Sequence, residues 1–233
     1  MSDALKRWGF TYKKNRLVPS KADPQAQAEW VAAYRKLVAE LGPEDRIYFG
    51  DAAYLVHNAA VGWAWSECGH PHSIAANSGR SRYNVRGVYC VQTQEFLFIQ
   101  TTENVNKQTV LDLLEKLRQV HPEPARIYLI LDNARAHRAQ EVADYCAQAG
   151  ITRFFLPTYS PNLNVIERFW KYLRAEVFQD HYYATFTDFV AAIKHFLEHL
   201  KEHRAKLTTL LIDHFESLPA GWKPEPAKAK SQN

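Results

Sequence analysis

The sequence predicts an α/β fold, a mixed sheet with helices on both faces, and three observations carry the prediction. β-type segments come first in a cluster, as a meander would; from about residue 108 helical and β-type segments alternate; and Ile127-Tyr128-Leu129-Ile130-Leu131 is the unbroken apolar run of a strand covered on both sides. With 233 residues, 46% hydrophobic and 23% charged, the chain can bury a sizeable core and is neither disordered nor collagen-like. No apolar run approaches the roughly 18 residues that cross a bilayer, and MSDALKRWGF lacks a signal-peptide stretch, so an intracellular protein without a membrane partner is expected. Cys68, Cys90 and Cys146 are odd in number and widely spaced, which argues against a disulfide framework or a CxxC zinc knuckle.

Residues 1–21 hold Lys6, Arg7, Lys13, Lys14, Arg16 and Lys21 against Asp3, with Trp8, Phe10 and Tyr12 interleaved, and read as a basic, partly extended arm or a solvated leader. A domain spanning 22–216 follows, and the stretch 217–233, with three prolines and three lysines, reads as a disordered tail. Asp23-Pro24 should open a helix that runs through Trp30, Tyr34 and Leu37 to Gly42-Pro43. Strands are expected at 46–51, 61–66 (VGWAWS), 85–92 and 96–101, all rich in β-branched and aromatic residues. Helix 108–120, strand 127–132, helix 138–149 stopping at Gly150, strand 152–156 and a turn at 157–161 come next. Helices at 165–178 and 187 to about 215 complete the pattern.

Two expected strands, 46–51 and 127–132, finish in aspartate, at the kind of sheet edge where ligands sit in α/β folds. If those strands are neighbours, Asp51 and Asp132 repel each other unless a cation neutralises them, and carboxylates with water and phosphate oxygens suit a hard divalent ion. Either aspartate alone is more simply a turn cap. Glu167 adds a third acid near the start of a helix, where Val165, Ile166, Phe169, Trp170 and Leu173 form one apolar arc and Glu167, Lys171 and Arg174 cluster within about 60° opposite. That face fits a metal ligand flanked by phosphate-binding cations; it also fits an i, i+4 surface pair, and Asn164-x-x-Glu167 fits a capping box.

Asp51, Asp132 and Glu167, with 34 residues between the second and third acids, together with LILDNARAH and LPTYSPNLNVIERFWKYLR, resemble the DDE catalytic domain of mariner-superfamily transposases, nearest to the bacterial insertion-sequence branch. The resemblance covers about residues 10–215. It implies a ribonuclease H-like fold in which Asp51, Asp132 and Glu167 are catalytic and bind two magnesium or manganese ions. It implies hydrolysis of DNA at transposon ends and attack of the freed 3′-hydroxyl on target DNA, commonly at a TA dinucleotide, by two in-line displacements. A homodimer pairing two DNA ends and a cytoplasmic, nucleoid-associated location follow from the same resemblance. Asn133 and His137 match the family's DN-x-x-x-H pattern, which implies that they orient DNA or the nucleophile; a turn and a helix start would also use them. Val165 replaces a proline of the usual PNLNPIE motif at a position where its loss costs little. Helix-turn-helix modules usually precede the first acid, whereas only one helix is expected here, so the DNA-reading module is taken to be missing or separate, through truncation or division into two reading frames.

Arg80, Arg82 and Arg86 lie in NSGRSRYNVRG, expected as a Gly/Ser-rich turn gripping phosphates or as an ordinary solvated hairpin tip. His195-Phe196-Leu197-Glu198-His199 also fits the H-x-x-E-H zinc-protease pattern, but few candidates for a third ligand follow, notably Glu202 and Glu216. Cys68-Gly69-His70-Pro71-His72 is a single short cluster and reads as a turn. No GxxxxGK[ST], GxGxxG or GxSxG string supports nucleotide or serine-hydrolase chemistry. A general nuclease of the same fold, or a DNA-binding module that no longer cuts, are the rival functions; three intact acids argue against the latter because carboxylates repel phosphate.

Overall fold

A computed structural model of the chain describes residues 2–11, 18–62, 65–70, 73–121, 126–215 and 217–224. Its sheet begins with the expected meander: β1 (Arg46–Val56), β2 (Arg82–Cys90) and β3 (Phe96–Thr101) pair antiparallel in sequence. β4 (Ile127–Leu131) and β5 (Ile151–Phe155) then add in parallel on the far side of β1, giving the order β3-β2-β1-β4-β5. Parallel neighbours need a crossover, and helices supply it.

Successive side chains of a strand face opposite sides, so each strand feeds two cores. Tyr48, Leu129 and Leu131 point to one side, where α3 (Lys107–Val120) and α4 (Gln140–Gln148) bury Val110, Leu114, Leu117, Val142 and Cys146. Ile47, Phe49 and Ile130 point to the other, beneath α2 (Pro24–Ala39), α5 (Ile166–Phe178), α6 (Phe186–Glu198) and α7 (Arg204–Leu210). Both faces of β4 are therefore covered, which is why its sequence is a continuous apolar run rather than an alternation. Asp23 caps α2 as expected, accepting from the backbone N–H groups of Gln25 and Ala26.

Five expectations change. β1 does not stop at Asp51 but continues to Val56, so Asp51 sits in mid-strand, opposite Gly87 of β2. Of the strand expected at 61–66, residues 63–64 lie outside the described residues and the rest is loop, with Val61 and Trp65 exposed. The loop fastens to the end of α5, where Gly62 N–H donates to Asp180 Oδ1 at 2.9 Å, and its aromatic composition has no strand to pair with. The long helix expected at 187–215 is two helices separated by turns at 199–203, a bend that returns Leu207, Leu211 and Phe215 to the core. The basic arm begins as a short helix, α1 (Ser2–Arg7), with Trp8 and Phe10 exposed after it; Tyr12, Lys13, Lys14 and Arg16 lie outside the described residues. Finally, Leu218 of the expected tail is buried, its N–H donating to Gln27 Oε1, while residues 225–233 lie outside the described residues.

Candidate active site

Asp51 and Asp132 come together through strand register. Parallel β1 and β4 pair Phe49 with Ile130, and continuing that ladder two residues sets Asp51 beside Asp132, which directly follows β4. Glu167 is the second residue of α5, and α5 is seated by its next turn: Trp170 packs over Gly87, where a β-carbon would lie 2.7 Å from Phe98 Cδ1 and 3.2 Å from Trp170 Cη2. Because Gly87 is the partner of Asp51, the missing side chain lets α5 approach the strand that carries the first acid. The three acids line one cleft of about 330 Å³, walled by the Leu156–Pro161 turn, Asn133 and Asn164. A larger groove of about 610 Å³, between the β2–β3 turn and α6–α7, contains none of them.

The electrostatics of the cleft separate the two aspartates. Burial, then the negative field of Glu167 and that of Asp132, pushes the Asp51 carboxyl up to about 7. Asp132 is held below the usual carboxylate range, first by its hydrogen bond from His137 and further by the Ala134 N–H and by Arg86. His137 Nδ1 lies 2.7 Å from Asp132 Oδ1, and Arg86 Nη1 lies 2.7 Å from His137 Nε2. A guanidinium can only donate, so Nε2 accepts and the imidazole proton sits on Nδ1, aimed at Asp132. The Ala134 N–H also reaches Oδ1, at 3.0 Å, so both bonds fall on one oxygen and Oδ2 carries neither.

Arg86 and His137 thus occupy places unlike those expected. Arg86 is not in a turn but in the middle of β2, buried, with Nε lacking a hydrogen-bond partner. His137 is buried beneath Asp132 and faces the protein rather than solvent. Asn133 donates to the Leu156 carbonyl at 2.6 Å and accepts from Arg138, tying the end of β4 to the wall beyond β5. Arg80, Arg82, Lys171 and Arg174 are exposed, as a phosphate-contacting surface requires; Arg82 bonds Asn104 and stands over the Tyr54 ring. Among the described residues no ion pair joins Glu167 to Lys171, so the surface-pair reading of Glu167 fails.

The capping-box reading fails too. α5 is preceded by Val165 without a side-chain cap, its φ of −60° being the value a proline ring would impose, and Asn164 Nδ2 instead donates to the Gly50 carbonyl at 3.2 Å. Asn164 therefore ties the start of the Glu167 helix to the residue before Asp51. Gln27 of α2 is a second support that sequence reasoning missed. It is fully buried and donates to Ser160 Oγ at 3.0 Å, in the wall of the cleft. Neither has a local signal, because each acts on residues over 100 positions away.

Three carboxylates in one cleft, one of them raised by burial and then by its neighbours' charge, are an oxygen-donor set with unbalanced negative charge and fit a hard divalent cation. Among the described residues, no three His, Cys, Asp or Glu side chains, these acids included, stand close enough together to hold one metal ion as they are placed. The rival histidine motif is otherwise engaged: the His195 and His199 rings lie 4.0 Å apart with their planes tilted by 35°, His199 Nδ1 donates to the His195 carbonyl, and Glu216 lies outside the described residues, as does His72.

Comparison with known proteins gives the family and the fold. A family model described as DDE superfamily endonuclease matches residues 46–190, and one described as winged helix-turn helix matches residues 1–34. The second match corrects the expectation that no such module precedes Asp51; its span holds α1 and most of α2. The insertion element IS630 uncharacterized 39 kDa protein of Shigella sonnei is 22% identical over 199 residues, which cover 83% of this chain and 57% of that protein. The chain thus spans little more than half the length of that relative. Among solved structures, the mariner Mos1 paired end complex with Mg is similar at 17% identity and a TM-score of 0.63, over 90% of this chain and 64% of that one. The Mos1 strand transfer complex matches at 16% identity and a TM-score of 0.61, over 92% and 70%. These likenesses bear out the ribonuclease H-like fold, and no helix among the described residues is long and apolar enough to cross a membrane. With well over half of its length matched by the family model, the chain belongs to the DDE superfamily endonuclease family.

Proposed function

We propose that the chain is the catalytic part of an insertion-element transposase, which cuts DNA at the element's ends and joins the freed 3′ ends to target DNA. The observation that carries this reading is the convergence of Asp51, Asp132 and Glu167 on one cleft from two adjacent strands and a crossing helix. Those three side chains would hold the divalent cations, magnesium or manganese, two ions in the proposed form. Bound there, the cations would supply charge neutralisation of the scissile phosphodiester and activation of the attacking oxygen. The chain's own part is positional. His137 fixes Asp132 through Oδ1, Asn164 fixes the approach of α5 to β1, and the exposed Arg80, Arg82, Lys171 and Arg174 would grip phosphates of the bound DNA. Asn133 supports the cleft wall. Pairing of two ends by a homodimer, insertion at TA and recognition of terminal repeats through the helix-turn-helix segment belong to the same proposal.

The test is magnesium-dependent nicking of supercoiled DNA by the parent and by Asp132→Ala. Loss of nicking in the variant, with its fold retained, supports the assignment; equal nicking by both removes it. Products covalently joined to target DNA separate a transposase from a general nuclease, which would release only cut ends.

A further inference from the structure

One residue of the cleft wall departs from ordinary backbone geometry. Tyr159, in the turn after β5, has φ of +57°, in the left-handed region that L side chains other than asparagine and aspartate rarely enter. It stands between Pro157 and Pro161, whose rings restrict the chain on both sides. Its side chain does not repay the strain by burial, since 52% of the residue remains exposed while it lines the cleft shared by the three acids. A large aromatic held open at a strained position in a cleft of polar chemistry calls for a role there.

The neighbouring structure holds this conformation firmly. Gln27 Nε2 donates to Ser160 Oγ at 3.0 Å and to Asn162 Oδ1 at 3.4 Å, while Gln27 Oε1 accepts from Asn162 Nδ2 at 3.2 Å and from the Leu218 N–H at 3.3 Å. All four hydrogen-bonding places of the amide are thereby used. Ser160 Oγ donates in turn to the Thr158 carbonyl, so the residues on both sides of Tyr159 are tied to α2. Lys21, just ahead of α2, carries its Nζ 5.7 Å above the Tyr159 ring. An aromatic face beside a cation, presented at the edge of a phosphodiester-cleaving site, matches what a nucleic-acid strand offers: a base to stack and a phosphate to pair.

We propose that Tyr159 is a DNA-binding residue of the cleft, a stacking platform for an unpaired base next to the phosphate under attack, with Lys21 taking the adjoining phosphate. This inference rests on the reading of the cleft as a DNA-cleaving site. Stacking on an aromatic face is tolerant of base identity, so Tyr159 contributes to grip and placement without reading sequence.

The test compares the parent with Tyr159→Phe and Tyr159→Gly in binding a labelled duplex with a single-stranded end that carries 2-aminopurine, at low salt and without divalent ions so that nothing is cut. Glycine adopts positive φ freely, so Tyr159→Gly should keep the parent's thermal midpoint within a few degrees while losing the ring. The expected result is a roughly fivefold or greater loss of affinity in Tyr159→Gly, with 2-aminopurine left unquenched, and near-parent affinity and quenching in Tyr159→Phe. If the parent binds the duplex and Tyr159→Gly binds and quenches equally well, Tyr159 is not a DNA contact and the catalytic reading stands without it. If the parent itself binds no DNA, both readings fall.

Discussion

His137 shows how a single side chain can be flagged by sequence for one role and given another by its surroundings. The DN-x-x-x-H pattern marks the residue, but a histidine buried against Arg86 and Asp132 cannot reach a DNA strand. Its work is to hold one carboxylate oxygen so that the other points consistently. Outer partners of metal-ligating groups typically matter by about 10- to 100-fold. His137→Ala should therefore lower magnesium-dependent nicking at least about tenfold, while His137→Asn, whose amide can replace the Nδ1 donor, should recover most of that activity despite a similar loss of thermal stability. Parent-like nicking by His137→Ala would show that Asp132 needs no such support. Arg86 was misplaced for a related reason: its motif context suggests a turn, whereas its place in β2 and its bond to a residue 51 positions away are decided by pairing.

At the scale of elements, the site depends on two strands entering the sheet in step. Asp45, just ahead of β1, accepts the Gly42 N–H on Oδ2 and clasps Arg126, just ahead of β4, through Nη2 at 2.5 Å and Nε at 3.2 Å. The parallel register that later brings Asp51 beside Asp132 is thus pinned where both strands begin. The Arg126 hydrogen bonds hold the Asp45 carboxyl below the usual carboxylate range. A depressed folded-state value means the stabilisation is present above the unfolded value, near pH 4, and is lost as pH falls through the folded value. Asp45→Asn should lower the thermal midpoint at neutral pH and flatten its decline below about pH 4, measured side by side with the parent. An acid limb of unchanged slope would mean that Asp45 does not titrate with folding. The two misread elements share a cause at this scale. The 61–66 stretch has strand composition without a partner strand, and the 187–215 stretch has helical periodicity across a bend that only core packing requires.

For the whole molecule, α2 is as much a part of the folded body as the sheet, although the DDE family match begins only at residue 46. Trp30 and Tyr34 stack at 5.4 Å, both meet Phe215 edge-on, and the Tyr34 hydroxyl donates to Asp213 Oδ2 at 2.7 Å. The early helix and the late residues Leu211, Phe215 and Leu218 are therefore buried over the same side of the sheet, and Gln27 passes that closure on to the cleft wall. Trp30→Ala should cost about 3–5 kcal/mol in urea unfolding and weaken nicking in proportion to the unfolded fraction. A loss below about 1 kcal/mol would show α2 to be an appendage rather than a wall.

Periodicity and composition alone determined most helices and most strands, because local spacing records which face of an element is buried, whereas the three acids were singled out as a set by the resemblance of their surrounding motifs to a family's. Tertiary structure alone decided that Asp51 lies within its strand, that Asn164 bonds across to Gly50 rather than capping its helix, and that Gln27, Arg86 and His137 act from beneath the cleft. Each of these rests on a contact between residues far apart in the chain, and a hydrogen bond made over such a distance leaves no trace in the spacing of its neighbours.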